Sequence, residues 1–433
     1  MIALGFFIII MTGTFLLMLP ISAKNGQATG FLGSLFTATS ATCVTGLVVF
    51  DTFTHWTVFG QIVIITMIQI GGLGFITFGV YGMMLIGKKI GLKDRELVHE
   101  SLNSMHLGGS VNLVKKVIKG TFLIEGTGAL LLSVRFIPEH GILKGLYYSI
   151  FHSISAFCNA GFDLMGYKSP YSSLTLYSDD ILVNVVVMSL IVIGGLGFIV
   201  WEDVCNNKFI FKKYMLHSKI VISFSAVLLI GGAVFFYFSE SSLMADMTFK
   251  EKILASMFAS VTPRTAGFNT IDIASMSDGG KLMNVLLMFI GASPDSTGGG
   301  IKTTTFAAII FFMFSYVKKE KGCHAFKRSL EDDLIKKAST VFFINLSMAV
   351  VATMLISIIQ NFSFLDIALE VFSAIGTVGM SSGITRELTV FSKIIIIILM
   401  YCGRIGSLSF ALSFSERRKI PDIRYPKEKI IIG

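Results

Sequence analysis

The stretch Cys43-Val44-Thr45-Gly46 is a short loop that interrupts an apolar region of the chain. Similar loops occur at three later places, Cys158-Asn159-Ala160-Gly161, Arg264-Thr265-Ala266-Gly267 and Gly376-Thr377-Val378-Gly379. Successive loop glycines are 115, 106 and 112 residues apart, about a quarter of the chain each time. This period predicts one structural unit that the chain uses four times.

The composition around these loops is that of a membrane protein. The chain has 433 residues, of which 53% are hydrophobic and 15% are charged, and its mean hydropathy is +0.75. Soluble proteins carry about 25% charged residues. Non-helical backbone at membrane depth persists only where it lines a cavity or is buried in protein. The four loops are therefore predicted to surround a cavity.

Eight apolar stretches approach the length of about 20 residues that a membrane-spanning helix needs. They are 1–20, 57–86, 117–137, 180–200, 217–238, 282–315, 339–360 and 391–414. The first stretch lacks a basic leader and a small-residue cleavage site, so we interpret it as a span. The eight stretches form four pairs, which predicts repeats at 1–86, 117–200, 217–315 and 339–414 and a cytoplasmic tail at 415–433.

A short, moderately apolar segment precedes each loop and is too short to cross a bilayer. These segments are predicted to be re-entrant half-helices, at Phe31–Ser40, Leu146–Phe157, Lys250–Val261 and Asp366–Ile375. The C-terminal end of a helix carries about half a negative charge. Four such ends around one axis would attract a cation, and a ring of loop carbonyls would form a cation filter.

The distribution of charge predicts the orientation. The net charge is +9, and lysines and arginines concentrate in 87–119, 202–219, 316–340 and 415–433. Positive residues favour the cytoplasmic side, so these segments and both termini are predicted to be cytoplasmic. The basic runs suit contact with anionic membrane lipids, and nothing in them indicates binding to nucleic acid. Five scattered cysteines and seven scattered histidines predict no disulfide framework, resident metal site or cofactor.

The second span of each repeat has a glycine motif. Ile70-Gly71-Gly72-Leu73-Gly74-Phe75 recurs without change at Ile193–Phe198, where close helix packing would explain the small residues. In the third repeat the same place has Pro294 and four glycines within Ile290–Lys302, which cannot stay helical. The second span of the third repeat is therefore predicted to be broken within the membrane.

These motifs together resemble those of the Trk/Ktr/HKT superfamily of potassium transporters, and most closely the membrane subunit of its bacterial Ktr branch (KtrB type). The resemblance rests on Thr45-Gly46-Leu47, Cys158–Asp163, Thr262–Thr270 and Gly298–Thr305, and it covers essentially the whole chain. It implies an all-α integral membrane protein with eight transmembrane helices, built from four fused span–pore loop–span repeats in a pseudo-fourfold arrangement.

The resemblance also implies the site residues. The potassium filter would comprise Thr45, Gly46, Ala160, Gly161, Ala266, Gly267, Val378 and Gly379, acting mainly through backbone carbonyls. A gate below the filter would comprise Asp295, Gly298, Gly299, Gly300, Lys302 and Arg404. Asp295 departs from the family pattern, which has a small residue there. Arg404 would form a cation barrier beside the gate, or pair with Asp295, and the residues alone do not decide between these roles.

Several further polar residues have two interpretations. Glu125, inside a predicted span, is either a buried hydrogen-bond partner or a proton-coupling group, and the first is favoured. Arg264 is expected to brace the third loop from behind, because a guanidinium pointing inward would repel potassium. Asp51, Asp163 and Asp272 follow their loops, where they either concentrate cations or are ordinary solvated charges.

The sequence therefore predicts potassium uptake across the bacterial cytoplasmic membrane, with sodium left open as activator or co-ion. The alternative is a secondary cation transporter with alternating access, but such proteins usually have inverted repeats. An intramembrane protease is disfavoured, since the spans contain only two candidate carboxylates, Asp295 and Glu125. The resemblance implies a homodimer on a cytosolic nucleotide-binding RCK subunit (KtrA type), which would dock on 316–340 and 415–433.

Overall fold

The computed structural model describes residues 2–74, 110–208, 210–320 and 322–406, together with residues 77, 79, 80, 82, 84 and 428. Apart from residue 428, the predicted tail 415–433 lies outside the described residues, as do residues 407–414 of the fourth repeat and 87–109 of the first inner segment. About 70% of the described residues are helical.

The helices of the described residues are α1 (Ile2–Met18), α2 (Phe31–Thr42), α3 (Thr52–His55), α4 (Val58–Leu73), α5 (Ser110–His140), α6 (Ile142–Phe157), α7 (Ile181–Leu196), α8 (Phe198–Asn207), α9 (Leu216–Ser239), α10 (Phe249–Val261), α11 (Asp278–Phe289), α12 (Thr303–Val317), α13 (Asp332–Ile359), α14 (Phe364–Gly376) and α15 (Val390–Ile405). Several of them begin at a side chain that accepts a backbone N–H of the first turn, as Asp180 does for α7 and Thr389 for α15.

Three of the described helices are long and apolar enough to cross a membrane, at Asn112–His140, Leu216–Ser239 and Asp332–Ile359. A fourth span is counted if α7 and α8 are joined, although they meet at a bend of 96°. Helices α1, α4 and α12 are apolar but shorter. The chain is thus a membrane protein by its helices, and the count of eight spans stays a prediction.

Two predicted spans have a different course in the structure from a straight helix. The stretch 180–200, predicted as one span, ends its first helix at Gly197, whose φ of +95° is left-handed. Glycine tolerates this conformation and other residues rarely do. The stretch 282–315 contains α11 and α12, and residues 290–302 between them are not helical.

The four short helices before the loops are α2, α6, α10 and α14. Each packs against the helix that precedes it in the chain: α1 on α2, α5 on α6, α9 on α10 and α13 on α14. Each also contacts a helix from the preceding quarter, since α4 contacts α6, α7 contacts α10, α11 contacts α14 and α15 contacts α2. The last of these pairs joins α15 of the fourth quarter to α2 of the first, so the contacts close into a ring.

The expectation of an all-α protein is wrong in one detail. Cys323–Ala325 (β1) and Arg328–Leu330 (β2) pair as an antiparallel hairpin within the predicted inner segment 316–340. Phe326 and Lys327 form its turn with φ of +49° and +63°. Two consecutive left-handed residues match the twist of a tight hairpin.

Candidate functional site

The four loops share one backbone conformation. Their glycines have φ of +88°, +69°, +79° and +92° in chain order, and the residue two positions earlier is also left-handed in every loop. Those earlier residues are Val44, Asn159, Thr265 and Thr377, with φ between +49° and +73°. Non-glycine residues in this region cost of order 1–3 kcal/mol and cluster at functional sites. The four loops therefore repeat one strained conformation, which makes them the candidate functional site.

The loop glycines form a closed ring. A Cβ atom added to Gly46 would lie within 3.0 Å of the carbonyl oxygen of the second loop, and each following glycine stands in the same relation to the next loop. The pairs are Gly46 with Ala160, Gly161 with Ala266, Gly267 with Val378 and Gly379 with Thr45. The predicted filter residues therefore meet in one place, and no larger residue fits at any of the four glycines without moving a carbonyl.

Hydrogen bonds to the preceding half-helix hold each loop. The residue before the glycine donates its N–H to a carbonyl of the last helical turn at 2.8 to 3.0 Å: Thr45 to Ser40, Ala160 to Ser155, Ala266 to Thr262 and Val378 to Ser373. The hydroxyls of these four acceptor residues make a second hydrogen bond to the loop. Those of Ser40 and Ser373 accept the N–H of the loop glycine, and those of Ser155 and Thr262 donate to the carbonyl of the residue after it. The role of these hydroxyls was not predicted, although a serine lies six residues before the glycine in three of the four loops.

The charges near the ring favour a cation. Helices α2, α6, α10 and α14 all end within a few residues of a loop glycine, so their partial negative charges converge there. The hydroxyls of Thr45 and Thr377 are buried without a hydrogen-bond partner among the described residues. Unpaired buried polar groups are rare in proteins and call for a ligand or water.

A cavity of about 430 Å³ opens on one side of the ring and is lined by all four loop glycines. Asp51, Asp163 and Asp272 also line it, but each is engaged in local structure. Asp51 accepts the N–H groups of Thr54 and Tyr171, and Asp272 accepts from Ser275. Burial and the nearby Asp51 carboxylate raise the pKa of Asp163 to about 7, so near neutral pH it carries only part of a charge.

The non-helical segment 290–302 lies directly against the loops. A Cβ on Gly298 would collide with the side chain of Thr265, and one on Gly299 with that of Thr377. Both threonines belong to the four glycine loops, and both are fully buried. Thus Gly298 and Gly299, predicted from sequence as gate residues, contact the predicted filter.

Backbone hydrogen bonds tie this segment to α7 and its surroundings. Ser293 donates its N–H to Gly195 and Thr297 donates to Gly194, while the Thr297 hydroxyl donates to the carbonyl of Phe157 at 3.0 Å. The carbonyl of Asp295 accepts the N–H of Phe198, the first residue of α8. The second copy of the Ile-Gly-Gly motif, Ile193–Gly195, therefore does more than pack helices, because both of its glycines accept hydrogen bonds from the segment.

Arg404 joins the segment to α4. Its guanidinium donates three hydrogen bonds, to the carbonyl oxygens of Thr297, Gly71 and Gly72. Lys302 donates to the carbonyl of Gly298 at 2.6 Å, and both Asp295 and Arg404 lie close enough to act on it electrostatically. The structure thus brings all predicted gate residues together, and the guanidinium binds backbone rather than standing free.

Glu125 and Arg264 both lie behind the ring. Glu125 accepts a hydrogen bond from Gln69 at 3.1 Å and is 4% exposed, which fits the favoured interpretation as a buried hydrogen-bond partner. Arg264 donates to the carbonyl of Ser225 on α9 at 3.5 Å and does not line the cavity at the mouth. Arg264 therefore points away from the ring.

Comparison with known proteins identifies the family to which this chain belongs. The sequence model of the TrkH family, described as a cation transport protein, matches residues 3–422. The chain therefore belongs to the TrkH family of membrane cation transport proteins and is not an enzyme.

Two relatives match over the full length of this chain and 96% of their own. The potassium/sodium uptake protein NtpJ of Enterococcus hirae is 42% identical over 441 residues, and Ktr system potassium uptake protein B of Bacillus subtilis is 43% identical over 435 residues. The potassium transporter TrkH of Vibrio parahaemolyticus, a crystal structure, matches with a TM-score of 0.72 at 16% identity, covering 95% of this chain and 83% of that one. At that identity the structural match supports the fold alone.

Proposed function

We propose that this chain takes up potassium through the ring of glycine loops, which acts as a selectivity filter. The observation that carries the proposal is the closed contact of four loops, in which each glycine lies against a carbonyl oxygen of the next. A ring of inward backbone carbonyls can replace the hydration shell of a potassium ion. Four converging helix ends supply attraction without an acidic side chain at the ring.

The proposed architecture is eight spans in four span–pore loop–span repeats around a pseudo-fourfold axis. The cyclic contacts between α4 and α6, α7 and α10, α11 and α14, and α15 and α2 support it. The shared positive φ values in all four loops support it as well. In this arrangement the cavity of about 430 Å³ is the outer mouth, and the chain termini face the cytoplasm of a bacterial cell.

The gate in this proposal is the segment 290–302, which occludes the path below the filter. Gly298 and Gly299 allow it to lie in contact with Thr265 and Thr377, and hydrogen bonds from Arg404 hold it there. A non-helical segment can move without breaking a helix, but its bonds to Gly194, Gly195 and Phe198 must open. Opening therefore requires an input of energy from elsewhere in the complex.

Replacing Arg404 by alanine should raise potassium flux several-fold in proteoliposomes that contain this chain alone. The reason is that the loss of three hydrogen bonds frees the gate segment from α4. Arg404→Lys should behave like Arg404→Ala, because a single ammonium group cannot reproduce a planar fork that reaches carbonyls on two elements.

Arg135→Ala is a matched control, since Arg135 is paired with Asp180 at an exposed position on α5. Its flux should equal that of the parent chain. If Arg404→Lys keeps the parent flux while Arg404→Ala raises it, charge alone matters and Arg404 is an electrostatic barrier rather than a clamp.

The partners proposed for this chain are a second copy of itself and a cytosolic nucleotide-binding RCK subunit of the KtrA type. Two relatives from Bacillus subtilis and one from Vibrio alginolyticus are named as parts of a Ktr system, which supports an assembly of several subunits. The hairpin of β1 and β2 lies in the inner segment 316–340, which is the proposed docking surface within the described residues.

The test of the proposed function is growth of a potassium-uptake-deficient bacterium at low potassium, with and without added sodium. Expression of this chain with its partner should restore growth, and sodium-dependent rescue would assign sodium as activator or co-ion. An Enterococcus hirae relative is named a potassium/sodium uptake protein, which motivates the sodium arm. Failure of rescue in both arms, with the protein present in the membrane, would contradict potassium uptake.

A further inference from the structure

The four half-helices share a buried position nine residues before the loop glycine. The residue nine places before each loop glycine is Thr37, His152, Phe258 or Glu370 in chain order. All four side chains are at most 1% exposed. Two of them, His152 and Glu370, are titratable groups, which are rarely buried completely unless they have partners. Their partners therefore indicate why they are there.

The carboxylate of Glu370 holds the chain that leaves the fourth loop. Ser381, two residues after Gly379, donates its hydroxyl to one carboxylate oxygen at 2.7 Å, and Thr385 donates to the other. The Ser381 hydroxyl accepts the N–H of Gly383 at 2.9 Å, so the network also fixes the backbone. Ser381 and Thr385 both line the mouth cavity beside Gly379. Glu370 thus connects α14 to the outer side of the fourth loop.

His152 makes the corresponding connection in the second loop. Its Nδ1 lies 2.7 Å from the carbonyl oxygen of Tyr148, and its Nε2 lies 3.2 Å from the backbone nitrogen of Leu164. A carbonyl only accepts and an N–H only donates, so Nδ1 carries the proton and Nε2 accepts. Leu164 is three residues after Gly161. The imidazole on α6 therefore holds the segment that follows the second loop in place.

In the part of the chain that the structure describes, the other two half-helices have no such connection at this position. The hydroxyl of Thr37 donates to the carbonyl of Gly33 within its own helix at 3.0 Å, and Phe258 has no polar side-chain atom. In the ring, the first loop contacts the second, the second the third, the third the fourth, and the fourth the first. The second and fourth loops are therefore opposite each other. The buried side chains of His152 and Glu370 therefore hold two loops that lie on the same diagonal of the ring.

We infer that His152 and Glu370 are positioning residues which set the distance across that diagonal and thereby the preference of the filter for potassium over sodium. The inference rests on the proposed function of the ring as a filter. Neither side chain lines the cavity beside the ring. Each acts through the segment that follows a proposed filter glycine. Because carbonyl positions determine how well a dehydrated ion is coordinated, loosening one end of a loop changes selectivity before it abolishes transport.

The test is the competition of sodium with potassium uptake in proteoliposomes of the full chain. Glu370→Gln keeps the size of the side chain, but its amide nitrogen cannot accept from Ser381 or Thr385 as a carboxylate oxygen does. His152→Phe keeps a ring and removes both hydrogen bonds. Each variant should lower the potassium-to-sodium preference by up to about fivefold, the factor that corresponds to one net buried hydrogen bond.

Two controls separate positioning from general stability. Glu240 is equally buried, and it accepts the N–H and the hydroxyl of Ser277 between α9 and α11, away from the loops. Glu240→Gln should lower the melting temperature and leave the ion preference unchanged. Thr37→Val alters the equivalent position of the first half-helix and should also leave the preference unchanged, since its hydroxyl bonds only within α2.

A second pair of variants addresses the case in which Glu370→Gln fails to accumulate in the membrane. Thr385→Val removes one partner of the carboxylate and should lower the preference, whereas Thr385→Ser keeps the hydroxyl and should match the parent. If Glu370→Gln, or Thr385→Val in its place, reduces thermal stability while the ion preference stays at the parent value, the residues are only structural and the inference is wrong. A parent chain that transports no potassium would instead overturn the proposed function.

Discussion

Replacing Gly46 by serine should lower the preference for potassium over sodium by about tenfold, which corresponds to about 1.4 kcal/mol in relative binding. Gly46 has φ of +88°, and a Cβ there would lie within 3.0 Å of the carbonyl oxygen of Ala160. That carbonyl is a proposed filter ligand and must move. Sodium competition against potassium uptake is the measurement, with the amount of folded protein in the membrane determined in parallel.

Gly26→Ser is a matched control for the backbone cost of this change. Gly26 has φ of +67°, yet a Cβ there meets nothing within 4 Å. The control should therefore show a similar conformational penalty and an unchanged ion preference. If Gly46→Ser folds and discriminates between the two ions as the parent does, Gly46 is not part of a filter.

Shortening the segment Asp295–Gly300, for example by deleting Gly298 and Gly299, should raise potassium flux by about an order of magnitude in the absence of any cytosolic partner. A tenfold change corresponds to about 1.4 kcal/mol less in the barrier. The deletion removes the two residues that lie against Thr265 and Thr377, so the path below the filter is no longer filled. Flux through the purified chain in proteoliposomes checks this.

Deleting Gln27 and Ala28 from the exposed loop between α1 and α2 removes the same number of residues outside the cavity lining. The potassium flux of this control variant should stay at the level of the parent chain. A folded protein that lacks Gly298 and Gly299 and still conducts no better than the parent would make the non-helical segment a structural kink, with the gate elsewhere.

The site was more predictable from sequence than the course of the helices. The glycines at positions 46, 161, 267 and 379 identify the ring because a close approach of backbones demands the same residue in every loop. Half-helix α2 extends only two residues beyond the predicted Ser40. The bend at Gly197 was not predicted, because its glycine looked identical to those that permit close helix packing.

The partners of Arg404 could not have been predicted in this way. A pair with Asp295 was one of the predicted alternatives, because an acidic residue can be recognised from the sequence. The guanidinium donates to the carbonyls of Gly71, Gly72 and Thr297. Every residue has a carbonyl, so a backbone acceptor leaves no trace in the residue types. The same holds for the bonds of Ser293 and Thr297 to α7, which depend on the fold alone.

The ring of carbonyls from Thr45, Ala160, Ala266 and Val378 is supplied by four different codons of one gene. In a pore made of four identical chains, any substitution changes all four positions at once. Here a single mutation alters one proposed ligand and leaves three, so under the proposed function the ion preference can change in small, separate steps. The same independence allows two opposite half-helices to have a histidine and a glutamate at one position while the other two have a threonine and a phenylalanine.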